Sequence, residues 1–173
     1  ADALEQVRDL AIRDDLTGLF NRRHILEVLE HQKALADNQI YPFSVCYVDL
    51  DHFKRINDEY GHDMGDRVLR QFAEHTLDNL REGDYLARLG GEEFILVLPQ
   101  SDLAGAGLVA ERLRESWAAR SFEDRRGPPT VSLSAGVASY RGQETVDQLL
   151  GRADRALYRA KTGGRNRVCR EDD

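Results

Sequence analysis

Apolar and polar positions along this chain follow two periods, one helical and one strand-like. Leu4, Val7 and Ala11 recur at three- and four-residue spacing and predict a helix over residues 1–13. A glycine-containing turn follows through Gly18, and Asn21 caps a helix running to about Ala36. The apolar run Phe43-Ser44-Val45-Cys46-Tyr47-Val48 predicts a buried strand over residues 43–49. A short helix over about 52–60 is broken by Gly61, and a longer one runs from about Asp63 to Leu80. Strand-like runs at 84–89 and 93–98 flank Gly90-Gly91, a pair that accepts the positive φ of a tight hairpin. Asp102 caps a helix to about Arg120, and Arg125-Arg126-Gly127-Pro128-Pro129 reads as a loop. A strand at 130–139, a helix capped by Thr145 and ending near Thr162, and a short strand near 166–169 complete the order. This succession predicts an α+β sandwich, a sheet with antiparallel pairs packed against helices.

Two acidic constellations stand out against that pattern. Gly90-Gly91-Glu92-Glu93 places adjacent carboxylates on the hairpin, where like charges repel and acids are poor strand formers. On the residues alone it reads either as a solvated turn or as a cation site. Asp49 and Asp51 stand where the first strand ends, and alternation lets them share a face. Two strand-end carboxylates with a further acid from a hairpin suit Mg²⁺ or Mn²⁺, which takes its remaining ligands from water and phosphate. Asp51 fits better as the N-cap of the following helix, and Asp49 as the metal ligand.

Composition narrows the function classes. The 173 residues suffice for one domain with a full core, and the formal net charge of −7 disfavours a nucleic-acid binder held by phosphate contacts. It leaves a nucleotide enzyme open, since a cation and a few local bases neutralise a triphosphate. Cys46 and Cys169 give no disulfide framework and suit a reducing cytosol. No run approaches a membrane span, so no membrane contact is expected within this segment.

With these motifs in view, the chain resembles the GGDEF family of diguanylate cyclases, which condense two GTP into cyclic di-GMP. The likeness runs from Asp14 to Val168. It rests on Asp14-Asp15-Leu16-Thr17-Gly18-Leu19-Phe20-Asn21-Arg22-Arg23, the Asp49–Asn57 segment, Gly61-His62-Asp63-Met64-Gly65-Asp66 and Gly90–Phe94. Ser134-Ala135-Gly136-Val137-Ala138 and Ala160-Lys161-Thr162-Gly163-Gly164-Arg165-Asn166 complete it. The first signature acid, Glu92, stands where the family name has Asp.

The resemblance implies a palm-like, ferredoxin-related catalytic domain over residues 14–170. Asp49, Glu92 and the Leu50 carbonyl are then the Mg²⁺ or Mn²⁺ ligands. Glu92 is also the candidate base for the attacking hydroxyl, although metal binding weakens a carboxylate as a base. Glu93 is either a further ligand or an orienting partner. Gly90 and Gly91 let the nucleotide approach the backbone. Asn57 and Asp66 select guanine, whose N1–H and N2–H adenine does not present; on composition alone Asn57 reads as a helix-surface residue. Lys161 and Arg165 clamp the terminal phosphates, with Lys54 assisting, and the same bases suit a helix C-terminus.

Arg81-Glu82-Gly83-Asp84 ends just before the hairpin and resembles the family's inhibitory site for product cyclic di-GMP, with Arg112 as a second arginine. Elsewhere an RxxD sequence is an ordinary surface ion pair. The resemblance further implies catalysis across a homodimer. Residues 1–13 would be the end of a signalling helix from an upstream sensory domain. The domain is expected in the cytoplasm, free or as part of a membrane-attached sensor. A non-catalytic GTP or cyclic di-GMP receptor and a cyclase for another nucleotide are the competing readings. The intact hairpin disfavours the first, and the Asn57/Asp66 pair disfavours the second.

Overall fold

The computed structural model describes residues 2–122 and 126–173, so Ala1 and Arg125 of the expected first helix and loop lie outside the described residues. Among the described residues eleven elements follow in order: α1 (Ala3–Ile12), α2 (Arg22–Asp37), β1 (Phe43–Leu50), α3 (Phe53–Tyr60), α4 (His62–Asn79), β2 (Tyr85–Gly90), β3 (Glu93–Pro99), α5 (Leu103–Ala118), β4 (Leu133–Ser139), α6 (Val146–Thr162) and β5 (Arg167–Arg170). The strands form one sheet in the order β2-β3-β1-β4-β5, antiparallel except for the β4–β5 pair. This is the α+β sandwich that the pattern predicts.

Alternation along β1 separates the two cores. Cys46, Val48 and Leu50 face α3, α4 and α5, where they meet Val68, Phe72, Leu113 and Trp117. Phe43 and Val45 face the opposite layer with Ile25 and Leu29 of α2 and Leu149 and Ala153 of α6. Tyr47 and Asp49 therefore leave the sheet on the α2/α6 side. That layer is close-packed: a Cβ at Gly136 of β4 would stand 2.1 Å from the Ala153 carbonyl oxygen and 2.2 Å from the Leu157 nitrogen.

Three expected caps form. Asn21 accepts from the His24 amide at 2.9 Å, Asp102 from Gly105 at 2.8 Å, and Thr145 forms a capping box with Gln148. Gly61, at φ 90°, separates α3 from α4. The fourth strand starts at Leu133 rather than Thr130, because its ladder partner β1 ends at Leu50, directly opposite Leu133.

The expected cap at Asp51 does not form. His52, in a left-handed conformation at φ 57°, precedes α3 without a side-chain cap. Asp51 is buried and accepts from the hydroxyls of Ser132 and Ser134, each at 2.7 Å, and from the Asn166 amide at 3.0 Å. Three converging donors satisfy a buried carboxylate better than one exposed helix end would, and they tie the end of β1 to β4 and to the turn before β5.

Candidate active site

β1 and β3 run antiparallel with Asp49 opposite Glu93, so the end of one strand and the start of the other bring their acids together. The Leu50 amide donates to the Glu92 carbonyl at 3.2 Å, which fastens the hairpin to the strand end. The turn itself depends on its glycines, with Gly90 at φ 146° and Gly91 at φ 50° and a bulge between Arg88 and Gly90. A Cβ on either glycine would meet nothing within 4 Å, so the space above the turn is open.

A cleft of about 320 Å³ opens at this corner. Asp49, Leu50, Lys54, Glu92, Lys161 and Arg165 all line it. The Lys161 ammonium donates to Asp49 Oδ2 at 2.5 Å. Burial pushes the Asp49 carboxyl up to about 6; Lys161 pulls it down, while Glu92 and Glu93 push it further up.

Glu93 has a partner of its own. The Tyr47 hydroxyl donates to Glu93 Oε2 at 2.9 Å. Burial raises the Tyr47 phenol, and the Glu93 carboxylate adds to the rise, so the hydroxyl remains a donor. Sequence reasoning passed over Tyr47. The signal was available, since its period-two position puts it on the face of Asp49.

The donor set fits a hard divalent cation. Asp49 is pushed towards neutrality where a cation would favour its charge, and Lys161 already supplies one positive group there. Among the described residues no three acidic, histidine or cysteine side chains gather as a closed cage. The available ligands are thus Asp49, Glu92 and main-chain oxygen such as that of Leu50, an open arrangement that leaves room for phosphate oxygens.

Asn57 and Asp66 sit outside the cleft wall, where α3 packs on α4. A Cβ at Gly65 would stand 1.9 Å from Asn57 Oδ1, so the glycine makes the space that the amide occupies. Asp66 follows directly in the chain.

On the outer side of the hairpin, Arg88 donates to the Gly91 carbonyl at 2.9 Å and pairs with Asp14 at 3.2 Å. Asp14 also accepts from the Thr17 amide and hydroxyl. Asn21 holds the end of α1 through its bonds to the Ile12 and Ala11 carbonyls. The base of α1 and the acidic hairpin are thus joined through the Asp14 turn.

Arg81, Asp84 and Arg112 line a separate pocket of about 550 Å³ with Ser101, Asp102 and Val109. Arg81 pairs with Asp84 at 3.0 Å and reaches the Pro99 carbonyl and the Ser101 hydroxyl. The Asp84 side chain is only 2% exposed, so its visible work is to hold Arg81, which is 55% exposed.

Fold and site together define a palm-like, nucleotidyl-cyclase type of domain, with acids at a strand end and an acidic hairpin beside them. The family described as "Diguanylate cyclase, GGDEF domain" matches residues 11–167, and the chain belongs to it. Among curated relatives, diguanylate cyclase DgcP of Pseudomonas aeruginosa is 42% identical over 165 residues, covering 95% of this chain and 25% of that protein. The chain spans between 25% and 39% of the length of the first curated relatives it matches. It is also similar to the coiled coil and GGDEF domain of DgcB from Caulobacter crescentus in complex with c-di-GMP. That structure has a TM-score of 0.90 and 32% identity, with 96% of this chain and 89% of that one covered. The active GGEEF domain of a diguanylate cyclase from Vibrio cholerae matches at TM-score 0.82 and 37% identity, over 88% of this chain and 97% of that one. Its GGEEF signature is the variant found here at Gly90–Phe94. No described helix is long and apolar enough to cross a membrane.

Proposed function

We propose that this chain is the catalytic domain of a diguanylate cyclase. It joins two GTP into cyclic di-GMP and releases two pyrophosphates. The observation that carries the reading is the convergence of Asp49, Glu92, Lys161 and Arg165 on one open cleft.

In each of two equivalent steps, the 3′-oxygen of one GTP bonds to the α-phosphorus of the other. The bond from that phosphorus to the bridging oxygen breaks, and pyrophosphate leaves. Diguanylate cyclases of this family are generally metal-dependent. Asp49, Glu92 and the Leu50 carbonyl would hold Mg²⁺ or Mn²⁺, which would supply charge neutralisation for the phosphates. Glu92, which lines the cleft, is the candidate to accept the hydroxyl proton. Tyr47 holds Glu93 in place beside it. Lys161 and Arg165 bind the β- and γ-phosphates, Lys161 leaving Asp49 to do so, and Lys54 adds charge at the cleft wall. Asn57 and Asp66 take the guanine edge, and Gly90 and Gly91 keep the turn clear for the nucleotide.

One domain holds one GTP, so the reaction requires two domains face to face. Leu4, Val7 and Leu10 on α1 are 77%, 64% and 71% exposed, an apolar surface suited to a second copy of the helix. We place the domain in the cytoplasm, where GTP is available, with α1 continuing a signalling helix from a sensory partner.

Cyclic di-GMP binding at Arg81 and Arg112 gives feedback inhibition, with guanidinium forks on guanine and phosphate and Asp84 as the residue that orients Arg81. The reading is tested by chromatographic identification of the product from GTP and from ATP with Mg²⁺ or Mn²⁺. Cyclic di-GMP from GTP alone supports it, and a different product assigns another activity. Arg81→Ala is expected to relieve inhibition; unchanged inhibition would refute the inhibitory site while leaving the activity standing.

A further inference from the structure

The turn that carries Arg165 is built against its own preference. Arg165 and Asn166 both adopt left-handed backbone conformations, at φ 63° and 47°. Two successive non-glycine residues in that region are costly unless their surroundings hold them. Three contacts do so. The Arg165 amide donates to the Ala160 carbonyl at 3.0 Å, continuing the end of α6. The Asn166 amide donates to the buried Asp51 carboxylate, also at 3.0 Å. The Asn166 side chain accepts from Arg114 Nη1 of α5 at 3.0 Å.

The third contact comes from a guanidinium that is itself fixed. Arg114 is 18% exposed on its side chain and is gripped by Glu111 one turn earlier, through Nε to both carboxylate oxygens and through Nη2. That fork leaves Nη1 aimed at Asn166. A planar, doubly held guanidinium is a rigid strut, because little side-chain freedom remains to be lost when it makes one more bond.

We propose that Arg114 is a positioning residue for phosphate binding: braced by Glu111, it locks Asn166 in its left-handed conformation and thereby points Arg165 into the cleft. The inference rests on the proposed role of Arg165 as a ligand of the terminal phosphates. It adds a residue that touches no substrate and lies 52 positions from the turn it governs. It also places the brace two residues from Arg112, on the helix that lines the Arg81 pocket.

The test compares two nucleotides that cannot react because they lack the attacking hydroxyl. The affinities of 3′-deoxy-GTP and 3′-deoxy-GMP are measured by titration calorimetry with Mg²⁺, on the parent, Arg114→Ala and Arg114→Lys. Arg114→Ala is expected to weaken 3′-deoxy-GTP about fivefold, the net size of one ordinary hydrogen bond, and to leave 3′-deoxy-GMP unchanged. Arg114→Lys, which keeps a donor near the same amide, recovers part of the loss. Equal weakening of both nucleotides makes Arg114 a general structural residue and overturns the inference, as does no weakening at all. A parent that binds both nucleotides equally overturns the phosphate role of Arg165 itself, and one that binds neither overturns the nucleotide reading.

Discussion

Lys161 and Asp49, 112 positions apart in the chain, share a 2.5 Å contact at the mouth of the cleft. The ammonium offsets a carboxylate that burial, and after it the charges of Glu92 and Glu93, push towards neutrality. A divalent cation would take over that duty and release Lys161 towards phosphate. In Lys161→Met the carboxylate lacks its counter-charge, so the cation matters more to stability. Mn²⁺ is expected to raise the Tm of this variant by about 2–4 °C more than it raises that of the parent, which corresponds to ~1 kcal/mol in a chain of this length. Equal shifts in a thermal melt would show that lysine and cation do not share Asp49.

Two glycines separate stability from specificity. At Gly136 an added methyl meets the backbone of α6, which cannot yield, and Gly136→Ala is expected to cost about 3 kcal/mol in urea unfolding. At Gly65 the methyl meets the end of the Asn57 side chain, which can swing aside. Gly65→Ala should therefore unfold within about 1 kcal/mol of the parent while raising KM for GTP about tenfold. Loss of stability without a change in KM would contradict the placement of Asn57 at guanine.

Acid stability depends in part on the Asp14 turn. Burial raises the Asp14 carboxyl, but the Thr17 hydroxyl and amide and the Arg88 guanidinium outweigh it and leave the group below its ordinary 3.8. A carboxyl depressed in the folded state adds stability above its unfolded value, and that stability is lost as pH falls through the folded one. Asp14→Asn is expected to lower stability by about 1 kcal/mol at pH 7, discounted for its partial exposure. The gap should close below about pH 4. Tm measured from pH 3 to 7 checks this, and a gap that does not narrow between pH 5 and pH 3 would contradict it.

The two cysteines should differ in reactivity. Cys46 is fully buried in the central strand, and burial pushes its thiol up to about 12. Cys169 lies half-buried on the edge strand β5. Iodoacetamide at pH 8 should modify one thiol per native chain and two in denaturant, since the thiolate is the reactive form. Rapid native modification of Cys46 would mean that the central strand opens.

The parts of this structure that were legible in the sequence are local. Asn21, Asp102 and Thr145 cap their helices because a cap needs only its own residue and the next three. The glycine pair at 90–91 reads as a hairpin for the same reason. Asp51 misled because an acid before a helix is the ordinary sign of a cap. Its real donors, Ser132, Ser134 and Asn166, lie more than eighty positions away. The Tyr47–Glu93 and Arg114–Asn166 contacts depend on strand register and helix rotation, which no short pattern specifies. The acids of the candidate site were found from spacing and resemblance, whereas the residues that hold them became visible only once the sheet was assembled.

The most direct test follows the product of GTP and Mg²⁺ at high protein concentration, comparing the parent with Glu92→Gln in equally dimeric samples. The account expects cyclic di-GMP and two equivalents of pyrophosphate from the parent and at least a hundredfold less from the variant, the scale of losing a positioned catalytic group. A variant that turns GTP over as fast as the parent would contradict the assignment of the hairpin acid to the chemistry.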